Sequence, residues 1–450
     1  MSAPQIEAAT ENVVLRRGKI YCLLELRAVM LPMTDRGCRG YGILSPPCGG
    51  SSLPPQPTLP READTEIMRV LFLTRYGRLG ASSRQRCFIY LDALRAAGIV
   101  ADVRPFLDDQ YVRNLHAGRP ASLPLVFRSY AARLLVLLKS HGFDLLWIEK
   151  EALPWIPAWA ECALLNMIGT EIVVDYDDAI FHAYDQHRNR LVRKLLGSKI
   201  DRIMAIADLV TVGSSYLGLR AKATGARAVA ELPTVVDLKH YPDRAAVPPD
   251  TERPFTLGWI GSPLTSTYLE PLRPALTELT ARLPLKIILI GAAAGSLIGL
   301  PVERVAWSAD TEAAELARCD AGIMPLPDLP WERGKCGYKL IQYMASALPV
   351  VASPVGINRD IVTHGETGFL AETTADWISS LFRLACEPEL RRRMGIAGRC
   401  RAEANYSLDA VAPKLIELLY GVGAAQSGRQ RASAADRDVT SSPATRQWPI

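Results

Sequence analysis

The sequence lacks three features that would restrict its class at once: a long apolar run, a cysteine motif and a block of like charge. The longest apolar candidate, the uncharged stretch at 287–302, contains glycine, serine and proline and falls short of the roughly 20 residues that span a bilayer. Nine cysteines form no CxxC pair and no metal spacing with histidine, so we expect reduced and structurally neutral thiols. Lysine and arginine number 52 against 47 acids, without a long basic run, so nucleic acid is not an expected partner.

Neither end of the chain predicts a packed core. Residues 1–67 include a long Pro/Gly/Ser-rich stretch, and we expect 1–67 to be a disordered or misassigned extension ahead of Met68. Acidic Glu7 and Glu11 precede the first apolar stretch, which argues against a secretory signal and favours a cytoplasmic protein. Residues 423–450 are rich in serine, alanine and arginine, and we expect a disordered tail there.

Between these ends, short β-branched runs alternate with longer amphipathic stretches. This alternation is typical of βαβ units around a mostly parallel sheet. A Pro-rich break at 242–254 divides the pattern into two sets. The predicted strands are 68–74, 100–104, 145–149, 172–175, 209–212, 255–261, 285–291, 302–307, 321–325 and 349–353. We therefore predict an α/β fold with two Rossmann-like, doubly wound domains, at 68–245 and 246–406.

The loop after the first strand is the first candidate ligand site, because open parallel sheets bind ligands beyond the carboxyl ends of their strands. It contains Gly77 and Gly80, with Ser83 and Arg84 at the start of a predicted helix over 83–97. Glycine lets the backbone approach a ligand, and a helix N-terminus attracts anions. Nearby arginines favour a phosphate or an acidic acceptor, although a simple turn explains the glycines equally well.

A second candidate cluster follows the strand at 172–175. Asp177 and Asp178 come directly after it, and His182 follows within one turn. Such carboxylates bind a metal, orient sugar hydroxyls or act as a base, or else they cap a helix in solvent. His182 is either part of that chemistry or a packed histidine.

The densest polar loop of the second domain spans residues 327–339. Lys335 and Lys339 lie one turn apart on one helical face, a spacing that suits a diphosphate but also fits two solvated lysines. The turn at 354–360 places Asn358 and Asp360 at another helix start, where functional and structural interpretations are equally balanced.

Residues 335–370 carry a resemblance to a known family. Their sequence, KCGYKLIQY followed by SPVGINRDI and HGETGFL, resembles the donor-site signature of family 4, group 1 type glycosyltransferases of the GT-B fold. The segments ELPTVVD at 231–237 and ADLVTVGS at 207–214 are similar to that family's interdomain segment and last N-domain strand. The resemblance covers about 68–422 and implies two domains facing a central cleft, with a helix over 407–422 returning to the N-domain.

The resemblance also implies a reaction. It is transfer of a hexose, with retention, from a nucleotide diphosphate sugar to a glycan or lipid-linked acceptor in surface polysaccharide synthesis, without a metal or other cofactor. Lys335 and Lys339 would neutralise the departing diphosphate. The other residues that the resemblance places on the donor side are Ser262, Glu332, Gln342, Asn358 and Asp360. Those that it places towards the sugar or the acceptor are Gly77, Gly80, Ser83, Arg84, Asp177, Asp178 and His182.

The chain departs from the family pattern at two places. The family's paired glutamates align with Gly334 and Gln342, so Glu332 is the nearest substitute for the first, while Gln342 can still bind a ribose hydroxyl. The usual basic pair is missing from residues 261–268. Two alternatives therefore stay open: an inverting GT-B transferase with His182 as base, and a catalytically silent, sugar-nucleotide-binding partner subunit.

Two further interpretations concern cofactors and membranes. A Rossmann oxidoreductase is disfavoured because the segment from Gly77 to Gly80 lacks the GxGxxG spacing. Residues 191–196 are basic and apolar, which suits either peripheral contact with an anionic membrane at its inner face or an ordinary amphipathic core helix.

Overall fold

The computed structural model describes residues 67–116, 119, 122–242 and 252–440. Apart from Ile67, the predicted extension at 1–67 lies outside the described residues, as does the predicted boundary between 245 and 246. The described chain contains two sheets, one from each side of that boundary, and every strand pairing in them is parallel.

The first sheet belongs to the N-terminal half. Its strands are β1 Met68–Leu73, β2 Ile99–Val103, β3 Leu145–Glu149, β4 Glu171–Tyr176, β5 Leu209–Val212 and β6 Val229–Glu231. They lie in the order β2-β1-β3-β4-β5-β6, so the chain reverses direction across the sheet between β1 and β3. A ligand crevice is expected at such a switch point.

The second sheet belongs to the C-terminal half. Its strands are β7 Phe255–Ile260, β8 Leu285–Ile290, β9 Val302–Val305, β10 Ala321–Met324, β11 Val350–Ala352 and β12 Gly368–Leu370. The order β9-β8-β7-β10-β11-β12 is that of a dinucleotide-type Rossmann fold, with its switch point between β7 and β10. β7 pairs with β8 along its whole length but with β10 only at Leu257 and Gly258, so β7 and β10 separate towards their carboxyl ends.

Helices cover both sheets. Those of the N-terminal half are α1 Ala81–Arg86, α2 Leu91–Ala96, α3 Asp109–His116, α4 Leu123–Leu138, α5 Ala158–Ile168, α6 His182–Asp185, α7 Arg190–Leu196, α8 Lys199–Ile206 and α9 Ser215–Ala223. Those that follow are α10 Arg273–Arg282, α11 Glu312–Leu316, α12 Pro330–Arg333, α13 Tyr338–Ala345, α14 Asn358–Ile361, α15 Thr374–Cys386, α16 Pro388–Tyr406 and α17 Leu408–Thr440. Short 3-10 helices are Phe88–Tyr90, Ser140–Gly142, Leu238–His240 and Thr265–Leu272. No helix of the described chain is long and apolar enough to cross a membrane.

The strands consist of continuous apolar runs, because helices cover both faces of each sheet. All residues of β3 and β7 are buried, and Trp147 and Trp259 are among the largest side chains without exposed surface. Strands buried on both faces read as continuous apolar runs, as these do. This explains why the predicted strands match the observed ones to within one or two residues.

One predicted helix is interrupted, and another helix of the second half begins irregularly. The predicted helix at 83–97 is divided into α1, a 3-10 turn and α2, because Cys87 has a non-helical backbone (φ −131°, ψ −64°). The helix before residue 283 begins as a 3-10 helix that contains Pro271, which lacks the amide donor of a regular helix. The edge strands β6 and β12 were not predicted, since three residues are too few to show a period.

The terminal helix α17 packs on the N-terminal half, as predicted. Val411, Leu415 and Leu419 join the core around β1 and β3, and the Tyr420 hydroxyl donates to the Ala97 carbonyl oxygen (2.6 Å). The helix continues to Thr440, whereas the sequence analysis ended it at residue 422 and assigned a disordered tail beyond. Alanine, glutamine and arginine are frequent in this continuation and have high helix propensity.

Candidate functional site

The candidate site lies where the carboxyl ends of the two sheets face each other. On the N-terminal side it is built from the loops after β1, β3 and β4, and on the C-terminal side from the loops after β7 and β10 and the start of α13. Contacts between the halves cross this region: Gln85 on α1 donates to the Tyr338 hydroxyl on α13, and the Arg84 guanidinium stacks over the Trp307 ring at 4.8 Å. Arg84, predicted on the acceptor side, therefore reaches the opposite half.

The loop after β1 is held from beneath by buried polar groups. The Ser83 hydroxyl donates to Glu149 (2.6 Å) and accepts from the Tyr76 amide (3.1 Å), so Ser83 fixes the loop instead of facing the cleft. A Cβ at Gly77 would collide with the Asp109 carboxylate, and one at Gly80 with the Tyr76 side chain. The predicted glycines are thus required by close packing of this turn.

Lys150 is a site residue that the sequence analysis missed. It follows β3 with a positive φ of 66°, which is unusual for a residue with a side chain and is typical of functional sites. Its ammonium lies 2.9 Å from Asp177, 3.7 Å from Asp178 and 3.2 Å from the Ser82 hydroxyl. Burial alone would lower the pKa of Lys150, but the two carboxylates outweigh it and raise that pKa. Its position directly after a buried strand was the available signal.

The acidic cluster divides into structural and site residues. Asp175, in β4, is fully buried and forms a bidentate pair with Arg86 (2.8 and 2.6 Å), which makes it a structural residue. Asp177 is also largely buried, and although burial opposes ionisation, Lys150 holds its pKa below the usual value. Asp178 is the more exposed carboxylate of the Lys150 pair and lies at the cleft edge of this group.

His182 does not present a free ring nitrogen. Nδ1 lies 2.9 Å from Asp185, and Nε2 lies 2.9 Å from the Tyr216 hydroxyl. The ring also packs edge-on against Phe181. The packed-histidine interpretation fits these contacts, and a role as general base would require the Tyr216 bond to open.

The two predicted lysines lie near the switch point of the second sheet, but they do not share a helical face as predicted. Lys339 is on α13, whereas Lys335 precedes the helix, because Gly337 turns the chain between them. The Lys339 ammonium sits 4.4 Å from the Trp259 ring centroid and beside Gly261, at the carboxyl end of β7, while Lys335 lies 6.0 Å from the ring of Tyr268. Among the described residues, neither lysine forms an ion pair. Burial, with a smaller contribution from Lys335, lowers the pKa of Lys339 to about 7.

Two local features fix α13 in this position. Gly337 has a φ of 66°, and a Cβ there would collide with Ile361, so glycine is needed where the loop turns into the helix. One turn after Lys339, the Tyr343 hydroxyl accepts from the Ile260 amide and donates to the Ile323 carbonyl, each at 3.1 Å. Tyr343 thereby fills the fork between β7 and β10 and fixes the height of Lys339 above it.

Glu332 lies close to this pair of lysines in the chain and is buried. One carboxylate oxygen accepts from the Tyr268 hydroxyl, and Oε2 has no hydrogen-bond partner among the residues that the structure describes. Gly334, aligned with the family's first glutamate, packs against Ala179 of the opposite half, and a Cβ there would collide with that residue. The missing glutamate therefore has a physical explanation: the two halves meet where its side chain would begin.

The remaining donor-side candidates are dispersed. Buried Gln342 donates to the Tyr241 hydroxyl (3.2 Å), and Ser262 contacts Thr265 at the start of a 3-10 helix. Buried Asn358 donates to the Ser353 carbonyl (3.0 Å), which ties its own turn together. Asp360 is exposed and lies beside α16, since its carbonyl oxygen accepts from Arg401. The structure thus places Asp360 at the surface and Asn358 in the core.

A polar group near Gln342 was also missed by the sequence analysis. Glu312 accepts from the Trp307 indole (2.7 Å) and lies 3.4 Å from the Tyr241 hydroxyl, and burial raises its pKa. Within the described ranges, no group of three or more His, Cys, Asp or Glu side chains is arranged to hold a metal ion. Cys336, which the sequence predicted to be structurally neutral, lies at the contact between the two halves. Its thiol contacts the Asp177 carbonyl oxygen.

Comparison with known proteins agrees with this geometry. Residues 256–386 match the family model described as glycosyl transferases group 1, and no curated protein matches the chain. A sucrose-phosphate synthase from Thermosynechococcus elongatus is similar over 80% of this chain and 100% of its own, with a TM-score of 0.62 and 17% identity. HepE from Anabaena, in complex with UDP and glucose, is similar over 79% and 100%, with a TM-score of 0.57 and 17% identity.

A third solved structure extends the comparison. WaaG, a glycosyltransferase involved in lipopolysaccharide biosynthesis, is similar over 78% of this chain and 99% of its own, with a TM-score of 0.57 and 13% identity. These similarities confirm the predicted GT-B fold with two Rossmann-like domains.

Proposed function

We propose that the protein is a glycosyltransferase that moves a hexose from a nucleotide diphosphate sugar to a glycan or lipid-linked acceptor in surface polysaccharide synthesis, without a metal. The observation that carries this proposal is the pair Lys335 and Lys339 at the switch point of the second sheet. A partly buried ammonium without a carboxylate partner is unfavourable, and a diphosphate would supply the missing charge.

The lysines suit the departing group of this reaction. The bond between the anomeric carbon and the diphosphate oxygen breaks, and negative charge develops on the nucleotide diphosphate. Two preorganised cations beside that oxygen stabilise the transition state more than the ground state. Since Tyr343 fixes α13 between β7 and β10, Lys339 needs no rearrangement to act.

A base must accept the proton of the acceptor hydroxyl. The acceptor hydroxyl oxygen bonds to the anomeric carbon and releases its proton. Both ring nitrogens of His182 already have partners, and Lys150 contacts Asp177 and Asp178, so the departing diphosphate is the base that we propose. Attack from the face that the diphosphate leaves gives retention, which is the outcome that we propose over inversion.

Glu332 supports recognition of the sugar. Its unpartnered oxygen is buried close to the lysines in the chain, and a sugar hydroxyl is a donor that would satisfy it. Tyr268 holds the other oxygen in place. We propose that Glu332 takes over the role that Gly334 cannot fill.

The compared proteins support the donor class. HepE is described with UDP, with UDP-glucose and with UDP and glucose, and WaaG is described as a glycosyltransferase of lipopolysaccharide biosynthesis. A cytoplasmic location, with peripheral contact at the inner membrane face, is part of the same proposal because lipid-linked acceptors are held there.

The decisive experiment uses the full chain with UDP-, GDP- and ADP-sugars. Thermal shift reports donor binding, and release of free nucleotide diphosphate, with and without EDTA, reports turnover. We expect one donor to raise the unfolding temperature and to give EDTA-resistant release. Lys339→Ala should lose both signals, while Lys414→Ala, which changes an exposed lysine of α17, should keep them.

Two other outcomes would change the proposal. Binding without release, even with membrane extract as acceptor, would favour the silent partner subunit. No binding by any donor would contradict the assignment of the lysine pair to a diphosphate. Product stereochemistry, read by NMR of the anomeric linkage, separates retention from inversion.

A further inference from the structure

Helix α4 of the N-terminal half carries an exposed apolar stripe, formed by Leu123, Phe127, Leu134, Leu135 and Leu138. Phe127 is 73% exposed and the four leucines are 40–56% exposed. Their spacing of three or four residues places them on one side of the helix, with Ala131 between them. Water-exposed leucine and phenylalanine concentrated on one helix face mark an interaction surface.

The chain segment that contains the α4 stripe carries charge of a single sign. Residues 110–143 contain no aspartate or glutamate, but four arginines and one lysine. Arg128 and Lys139 are exposed and lie along the edge of the stripe. An apolar face with exposed cations along its edge is complementary to an anionic lipid surface.

The opposite face of α4 is fixed to the candidate site. Buried Arg133 donates to the carbonyl oxygens of Thr74 (2.8 Å) and Arg104 (2.9 Å), at the carboxyl ends of β1 and β2. Tyr130 packs edge-on against Phe106 (4.9 Å) and donates to the Pro154 carbonyl, after β3. Whatever binds the α4 stripe is therefore held about one helix diameter from the loop after β1.

We propose that the α4 stripe docks on an anionic lipid surface and brings the acceptor side of the cleft to a lipid-linked acceptor. The acceptor part rests on the function proposed above, while the docking itself does not. A second copy of the chain fits the stripe less well. The five side chains expose on the order of 500 Å², whereas a stable dimer buries roughly 800 Å² on each partner and mixes both charges at its rim.

The test measures co-sedimentation of the full chain with vesicles of phosphatidylcholine, with and without phosphatidylglycerol. We expect binding only to the anionic vesicles, and weaker binding at high salt. Phe127→Ser with Leu138→Ser should lower the partition coefficient by about tenfold or more. The matched control is Leu219→Ser with Ile298→Ser, which removes two equally exposed apolar side chains elsewhere and should bind as the unmodified chain does.

Three results would overturn the inference: no binding of the unmodified chain to anionic vesicles, unchanged binding of the α4 pair, or equal loss in the control pair. Size-exclusion chromatography without lipid is run in parallel, and a dimer that the α4 pair converts to a monomer would assign the stripe to a second copy instead. Donor-induced thermal shift without vesicles should be the same in all variants. If no variant and not even the unmodified chain showed a donor-induced thermal shift, the proposed function would be contradicted. The vesicle experiment would still test whether the α4 stripe binds lipid.

Discussion

At the scale of single residues, Lys339 is held in conditions that disfavour its charge. Trp259 and the end of β7 surround it, Lys335 lies nearby, and its pKa falls to about 7. Lysines with a strongly lowered pKa are concentrated at functional sites, where a bound anion can offset the free-energy cost of desolvating the ammonium. The cation is therefore poised to gain most from a diphosphate.

Replacing Lys339 should separate binding from folding. We expect Lys339→Ala to reduce turnover about a hundredfold, as the loss of one preorganised charge contact does. The unfolding temperature should not fall, because the substitution removes a desolvated charge without an ion-pair partner. Steady-state kinetics and thermal unfolding check both points. Turnover equal to that of the Lys414→Ala control would exclude Lys339 from the mechanism.

The lowered pKa of Lys339 also predicts a pH dependence. Above pH 7 the free protein loses the Lys339 proton, and donor binding must recover it, so donor affinity should fall as pH rises from about 7. Calorimetry in buffers of different ionisation enthalpy should show proton uptake on binding at pH 8. Lys339→Arg, which stays protonated, should bind with little pH dependence in this range. Identical profiles for both proteins would contradict this assignment.

Asp178 gives a residue-scale prediction on the acceptor side. It is the more exposed carboxylate of the pair beside Lys150, so it is the one available to an acceptor or sugar hydroxyl. Asp178→Asn should lower the transfer rate about tenfold or more while the donor dissociation constant stays within about twofold. Asp409→Asn, an exposed change on α17, is the control. Equal loss of donor binding and stability would indicate a structural role.

Some residues of this site could be predicted from the sequence and others could not, and individual residues show why. The spacing of the two lysines indicated that they are neighbours, and Lys335 does act on the Lys339 charge, but only Lys339 lies on the helix. Ser83 and Asn358 look equally polar in the sequence. In the structure, however, the Ser83 hydroxyl bonds to Glu149 and to the Tyr76 amide, and the Asn358 side chain bonds within its own turn. Lys150 could not be found from a motif, since its role arises from a strand end that meets two carboxylates from another loop.

At the scale of elements, α1 is anchored to β4 by a buried ion pair. Arg86 binds both oxygens of Asp175 and the Leu232 carbonyl, and the Thr211 hydroxyl also donates to Asp175. Removing one partner leaves a buried charge without compensation. This pair keeps the last turn of α1, with Arg84 and Gln85, at the cleft.

Asp175→Asn should therefore destabilise the protein by about 3 kcal/mol. The surface pair of Arg95 and Asp92 provides the control, because both side chains are highly exposed and such pairs contribute about 0–1 kcal/mol. Urea unfolding of Asp175→Asn and Asp92→Asn measures the difference. Similar losses for both variants would show that burial of the Arg86 pair is not decisive.

Element boundaries show which sequence signals suffice. Strands such as β3 and β5 were predicted to the residue, because a fully buried strand is an uninterrupted apolar run. The break at Cys87 was invisible, since it depends on how α1 packs on the sheet instead of on a proline or glycine. Tertiary packing decides such interruptions, and propensity does not.

At the scale of the whole molecule, the two halves meet closely around the donor loop. Gly334 lies against Ala179, Cys336 against the Asp177 carbonyl, and Gln85 against Tyr338. The absence of a side chain at 334 is thus a condition of this closed arrangement.

This contact predicts that restoring the glutamate will not help. In Gly334→Glu, the new Cβ would meet Ala179 at its Cβ and also at its backbone nitrogen, 3.0 Å away, so rotation of the glutamate side chain cannot relieve the clash. We expect the halves to be held apart, with transfer reduced about tenfold or more because the reacting groups are misplaced. Steady-state kinetics and the radius of gyration from X-ray scattering measure the two effects.

A pair of smaller changes isolates the cause. Gly334→Ala should reduce transfer less than Gly334→Glu, and adding Ala179→Gly should restore part of it, since removing the opposing Cβ relieves the severest of the contacts. If Gly334→Glu instead raised transfer, the missing glutamate would be a defect of the donor site and Glu332 would not replace it. Reduced transfer with rescue by Ala179→Gly would show that glycine is needed at 334 for contact between the two domains, which excludes a glutamate side chain there.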